Sequence, residues 1–133
     1  MKPLIEQDLT QGELRFVWAA IKTRNALKSK KIKSKEFDMR TFQTTTCLVN
    51  GKDCGTSHCI GGWIDFYLNP NANHHEDPTE ISAFDLSYKF KKAAKNLFYP
   101  DNRKLELSKP KHGIQAIDNF LAGYSDPWKG VEV

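Results

Sequence analysis

Between residues 8 and 28 the apolar side chains Leu14, Val17, Trp18 and Ile21 recur at three- and four-residue spacing, which places them on one face of a helix. Asp8 or Thr10 can cap its start, and Glu13, three residues after Thr10, completes a capping box. Gly12 is tolerated in that first turn. A second helix is predicted to begin at Thr56 or Ser57, both capping residues. It runs through Cys59, Ile60, Gly61, Gly62, Trp63, Ile64, Phe66 and Tyr67 and stops before Asn69-Pro70. Apolar residues surround this segment almost completely, so it is expected at the centre of the fold. Gly61 and Gly62 each cost a helix about 1 kcal/mol relative to alanine. That cost points to a close approach by another backbone or by a ligand.

Further along, a short helix is expected over about 79–85. Ser87 caps a longer one across Tyr88 to Tyr99, ended by Pro100, with Phe90, Ala93, Ala94, Leu97 and Phe98 inward and Lys89, Lys91, Lys92 and Lys95 outward. Ser108 and Pro110 open a last helix whose face is Ile114, Ile117 and Leu121 and whose end is Gly123. The stretches 37–42 and 44–49 have extended character, and Asn50-Gly51 is the strongest turn signal, so a small hairpin fits near 37–50. The fold class predicted is mainly α: one domain over residues 1–133, four or five helices around the 59–67 segment. A basic loop covers 28–36, and a tail over 124–133 carries Trp128 to the core.

Composition bounds this picture without changing it. The chain has 133 residues, 39% of them hydrophobic, enough for a core that needs neither metal nor disulfide to fold. No apolar run is long enough to span a membrane, and the N-terminal residues Met1 to Glu6 lack a signal-peptide core. With three cysteines, an odd number, reduced thiols in the cytoplasm are expected.

Net charge is +4, but it is unevenly placed. From Lys22 to Lys35 the chain carries Lys22, Arg24, Lys28, Lys30, Lys31, Lys33 and Lys35 without one acid. Such a run can track phosphates. It equally suits a solvated helix end, where lysines complement the negative pole of the helix dipole. No aromatic interleaves the run to stack a base.

Residues 53–63 concentrate the reactive side chains. Cys54 stands just before a helix N-terminus, where a thiol is readily ionised. With His58 or His112 as base, it is a candidate nucleophile, and Cys59 is a second. Asp118 or Asn119 is available to orient His112. A metal reading would combine Cys47, Cys54 and Cys59 with His58, His74 or His75, but the spacings are irregular for zinc, and no metal or other cofactor is expected. The third reading is packing: Cys59 as a small buried hydrophobe beside Gly61 and Gly62.

Asn50-Gly51-Lys52-Asp53-Cys54-Gly55, with Cys59 following, resembles the nucleophile segment of ubiquitin-like-protein cysteine proteases. That family places its histidine and aspartate upstream, whereas this chain has no histidine before His58. A papain-like order could use His112 and Asn119, although His112 falls in the first turn of a helix where that family has a strand.

Cys54-Gly55-Thr56, Cys59-Ile60 and Gly62-Trp63 resemble the motif of a family of small bacteriophage and bacterial proteins. Asp38-Met39 and Phe42 before it, then Leu97-Phe98-Tyr99-Pro100, Ala116-Ile117 and Trp128 after it, extend the resemblance over roughly residues 37–128. Gly61 stands where that family usually has alanine. The resemblance implies a phage or prophage setting, not an activity. The expectation is an accessory protein that binds a host or defence protein, a nucleic acid or a small nucleotide. Its contact residues would be Lys28, Lys30, Lys31, Lys33, Lys35, Gly61 and Gly62. The alternative is a cysteine-dependent hydrolase or transferase.

Overall fold

A computed structural model of the chain describes residues 3–34, 37, 39, 59–68, 85–100, 107 and 109–132. Among these described residues a 3-10 turn, Leu4–Glu6, precedes four α-helices: α1 (Gln11–Lys28), α2 (Ile60–Leu68), α3 (Tyr88–Phe98) and α4 (Pro110–Leu121). The fold is mainly α, as the periodicity predicts. Of the predicted short helix over about 79–85, residues 79–84 lie outside the described residues, as do Thr56, Ser57 and, apart from Phe37 and Met39, the hairpin region. Asp85 is described and is not helical; its φ is +47°. No described helix is long and apolar enough to cross a membrane.

The hub of the described fold is α1, which packs against both α2 and α4. Its start is the predicted capping box: the Glu13 N–H donates to Thr10 Oγ1 at 3.1 Å, and the Thr10 N–H donates to Glu13 Oε1 at 2.9 Å. Of the expected face, Val17 is buried and Ile21 packs against the core, but the other two positions turn outward. Leu14 and Trp18 are 48% and 52% exposed, whereas Phe16, Ala19, Ala20 and Thr23 are fully buried. Packing of two neighbouring helices explains the exchange, because small residues let helix axes approach closely. Thr23 is made compatible with burial by donating its hydroxyl to the Ala19 carbonyl at 2.9 Å.

Phe16 ties the helices together. Its ring lies 5.3 Å from Phe90 edge-on, 5.6 Å from Phe98 in a stack and 6.0 Å from Phe120. Such aromatic contacts add about 0.5–1.5 kcal/mol each beyond their buried area. α2 therefore flanks the hub instead of forming it. Ile60 and Ile64 are fully buried, while Trp63, Phe66 and Tyr67 are half-buried.

Ser87 caps α3, accepting from the Phe90 N–H at 3.4 Å, and the buried set Phe90, Ala94, Leu97 and Phe98 follows the expected spacing. Pro110 occupies the first turn of α4. The helix ends at Gly123 (φ +98°), where the Gly123 N–H reaches the Phe120 carbonyl and the Tyr124 N–H reaches that of Asn119, both at 3.0 Å. These two bonds form a Schellman end. Beyond it Trp128 docks as expected, 2% exposed, with Nε1–H donating to the Leu97 carbonyl at 2.8 Å. One close approach was not anticipated: a Cβ at Gly113 would sit 2.6 Å from Phe37 Cζ, so only glycine leaves room for that buried ring.

Candidate functional site

Among the residues with reactive side chains, Cys54, His58, Cys47, His74 and His75 lie outside the described residues, as does Lys35. Cys59 is described: it is 4% exposed and directly precedes α2, and its carbonyl accepts from the Trp63 N–H at 3.0 Å. His112 is 3% exposed at the third position of α4, where Nδ1 accepts from the Lys109 N–H at 3.2 Å. An imidazole that accepts at Nδ1 carries its proton on Nε2 and is neutral. Nε2 is buried without a hydrogen-bond partner. Burial first, then the charges of Lys111 and Lys109, holds His112 below its ordinary value near 6.5, while the Glu132 backbone acts in the opposite direction.

The groups expected to orient His112 are occupied elsewhere. Asp118 pairs with Arg24 Nε. Asn119 Nδ2 donates to the carbonyls of Pro127 at 2.9 Å and Lys129 at 3.4 Å, so it fastens the tail. A Cys–His–Asn relay through Asn119 is therefore not assembled among the described residues. Nor do three histidine, cysteine or acidic side chains converge there in a way that would hold a metal. Gly61 and Gly62 are buried in α2, the helix that packs against α1. Both expected contact residues are therefore buried in the described structure.

The basic run, by contrast, is presented outward. Lys28, Lys30, Lys31 and Lys33 are all exposed. The turn that carries them is built by specific interactions. Lys30 takes a left-handed conformation (φ +64°) that glycine usually occupies at a helix end. Its N–H reaches the Leu27 carbonyl at 3.3 Å, and the Ile32 N–H reaches that of Ala26 at 3.1 Å. Ile32 itself is 2% exposed. One buried isoleucine thus pins the turn to the core while the lysines around it face water. A left-handed non-glycine residue costs about 1–2 kcal/mol, and the dipole explains only lysines within the last helical turn. Lys31 and Lys33 lie past it.

The aromatic that the run lacks in sequence is supplied by the helix face. Trp18, expected in the core, is half-exposed, and the Lys22 ammonium lies 5.3 Å from its ring centroid. That is cation–π distance. Trp18, Lys22, Asn25 and Ser29 follow one another at helical spacing and lead into the basic turn. The signal in the sequence was the spacing of Trp18 to Lys22, four residues, weighed against a competing apolar stripe.

The start of α1 offers no comparable surface. The Glu13 carboxylate, 2% exposed, accepts from the Ser87 N–H at 2.9 Å and the Ser87 hydroxyl at 2.8 Å as well as from Thr10. Burial pushes its pKa up, but the bonds from Thr10 and Ser87 outweigh burial and hold it below 4.5. Asp65 of α2 is a second buried acid that the periodicity did not single out, and it too is engaged within the protein.

No family model, curated protein or solved structure matches this chain.

Proposed function

We propose that the protein is a small phage- or prophage-type accessory protein. It acts in the cytoplasm by binding a host or defence component and not by catalysis. The partner classes are a protein, a nucleic acid or a small nucleotide, and the exposed chemistry favours a nucleic acid. The observation that carries this reading is the pinned turn holding Lys28, Lys30, Lys31 and Lys33 in solvent beside the half-exposed Trp18. Lysines supply the counterion-release contribution to phosphate binding, and an indole supplies a stacking face. The resemblance around Cys59-Ile60 and Gly62-Trp63 supports the phage setting. The alternative, a hydrolase or transferase with Cys54 as nucleophile, draws no support from Cys59 or His112, which are both buried.

The test is oligonucleotide binding at a series of salt concentrations, with and without the combined substitutions Lys28→Glu, Lys30→Glu, Lys31→Glu and Lys33→Glu. Loss of binding in a variant that remains folded supports the reading. Binding that survives with the same salt slope removes the basic turn as the site.

A further inference from the structure

A cavity of about 190 Å³ lies at the opposite end of α1 from the basic turn. It is lined by the segment from Leu4 to Leu9, by the first turns of α1 and α3, and by residues 123–125 beyond α4. Hydrogen bonds fasten these walls to one another. The Ser87 N–H donates to Glu13 Oε2 at 2.9 Å, Thr10 Oγ1 donates to the Asp85 carbonyl at 3.1 Å, and Asn96 Nδ2 donates to the Ser125 carbonyl at 2.8 Å. Walls held in this way are in place before a ligand arrives, which lowers the cost of binding.

The lining combines an apolar part with charges of both signs, the make-up of a small-molecule site. Leu4, Leu9, Phe90 and Ala93 form the apolar part, and Asp8, Glu13 and Lys89 bring the charges. Among the described residues none of these three belongs to an ion pair, although all line one small cavity. Glu13 accepts from the Thr10 N–H and from the Ser87 N–H and hydroxyl, which fills three of about four acceptor positions on a carboxylate. One position remains. Asp8 is exposed and adds a second carboxylate. Lys89 stands in the first turn of α3, at the positive pole of the dipole, where helix stability disfavours a cation. An anion beside it would relieve that cost.

We propose that this cavity binds a free α-amino acid with a small aliphatic side chain. Asp8 and Glu13 hold its ammonium, Lys89 holds its carboxylate, and the side chain lies against the apolar wall. Two carboxylates select a cation and the lysine selects an anion, so a zwitterion meets both where a simple amine or a simple acid meets one. Volume limits the size. A cavity of about 150 Å³ holds benzene, so a ligand of about six to nine non-hydrogen atoms fits here, the range of valine and leucine. The inference stands apart from the proposed function, since it uses neither the basic turn nor Trp18.

The test is a titration of the full chain with L-valine and L-leucine, followed by backbone amide chemical shifts. Isobutylamine and isovalerate serve as comparison probes, being valine without its carboxylate and valine without its ammonium. The amides of Leu9, Ser87, Lys89 and Tyr124 should shift with both amino acids, and each single-charge probe should bind about tenfold more weakly or worse. Asp8→Asn and Lys89→Gln alter exposed positions, so each should weaken valine binding by a similar factor while the unfolding free energy stays unchanged. Absence of shifts with both amino acids at millimolar concentration overturns the inference. Equal binding of valine and either single-charge probe overturns it too, as does unchanged valine affinity in the two variants. Oligonucleotide binding is measured separately, so each of these outcomes leaves the proposed function where it stands.

Discussion

The two ends of α1 sit in opposite kinds of surroundings. At the start, Glu13 is an acid removed from water whose oxygens accept three hydrogen bonds, one from the Thr10 N–H and two from the Ser87 N–H and hydroxyl, joining the first turns of α1 and α3. Thr10 adds to the joint by donating to the Asp85 carbonyl at 3.1 Å. At the other end, Trp18, Lys22, Lys28, Lys30, Lys31 and Lys33 all face solvent on a backbone pinned by Ile32. One charge is satisfied inside the protein and serves stability. The others are exposed to water on a segment whose sequence carries no acid, the side on which the proposed binding surface lies. The same helix therefore separates the internal joint from the proposed binding turn by about 25 Å of length.

The largest effect is expected at the satisfied end. Glu13→Ala leaves the Thr10 and Ser87 donors unmet and should lower stability by about 3 kcal/mol in urea unfolding. Glu13→Gln keeps an acceptor and should cost less than half as much. If the two variants are equally mild, Glu13 is not the joint described.

Next in size is the response to acid. His112 has a folded pKa below its unfolded value, so the unfolded chain binds the extra proton first as pH falls. Stability is therefore full above about pH 6.5 and declines as pH drops toward the folded value. Protonation of Nδ1 also removes the acceptor for the Lys109 N–H. His112→Gln keeps an acceptor at the same helix position and should flatten the slope between pH 6.5 and 5. Glu13, likewise lowered in the fold, adds a second loss only as pH falls below about 4.5. A stability profile that is flat from pH 7 to 5 in the unaltered protein contradicts the neutral, buried assignment of His112.

Gly113→Ala should cost about 1–3 kcal/mol through collision with the Phe37 ring. Phe37→Leu in the same chain should recover part of that loss, since a smaller side chain can yield.

The smallest effect on stability is expected at the exposed end. Trp18→Ala should change unfolding free energy by less than about 0.5 kcal/mol, the range for surface positions. A loss comparable with that of a buried tryptophan, about 3–5 kcal/mol, contradicts the placement of Trp18 outside the core.

The asymmetry between the two ends also marks what the sequence makes legible. Local signals were readable: the Thr10–Glu13 box, the Ser87 cap, Pro110 at a helix start, Gly123 at a helix end and the docking of Trp128. Each depends on residues a few positions apart or on a single distinctive side chain. The buried face of α1 was not readable. Two apolar stripes overlap there, and alanines at 19, 20 and 26 carry little hydropathy although all three are buried. Glu13 was legible as part of a capping box but not as a buried joint, because its second partner, Ser87, is 74 residues away. The lysine run was legible as charge, but not as a pinned turn, because Ile32 is one isolated apolar residue among lysines. The motif around Cys54 gave the sequence its densest chemistry, and only its later part, from Cys59 onward, falls within the described residues.

The measurement that bears most directly on this account is the affinity of a single-stranded oligonucleotide over a range of salt. It compares the unaltered protein with the Lys28→Glu, Lys30→Glu, Lys31→Glu and Lys33→Glu combination, each checked for unchanged unfolding free energy. The account predicts a steep salt slope in the first and loss of binding with intact stability in the second. Equal affinity and equal slope in the two proteins would contradict it.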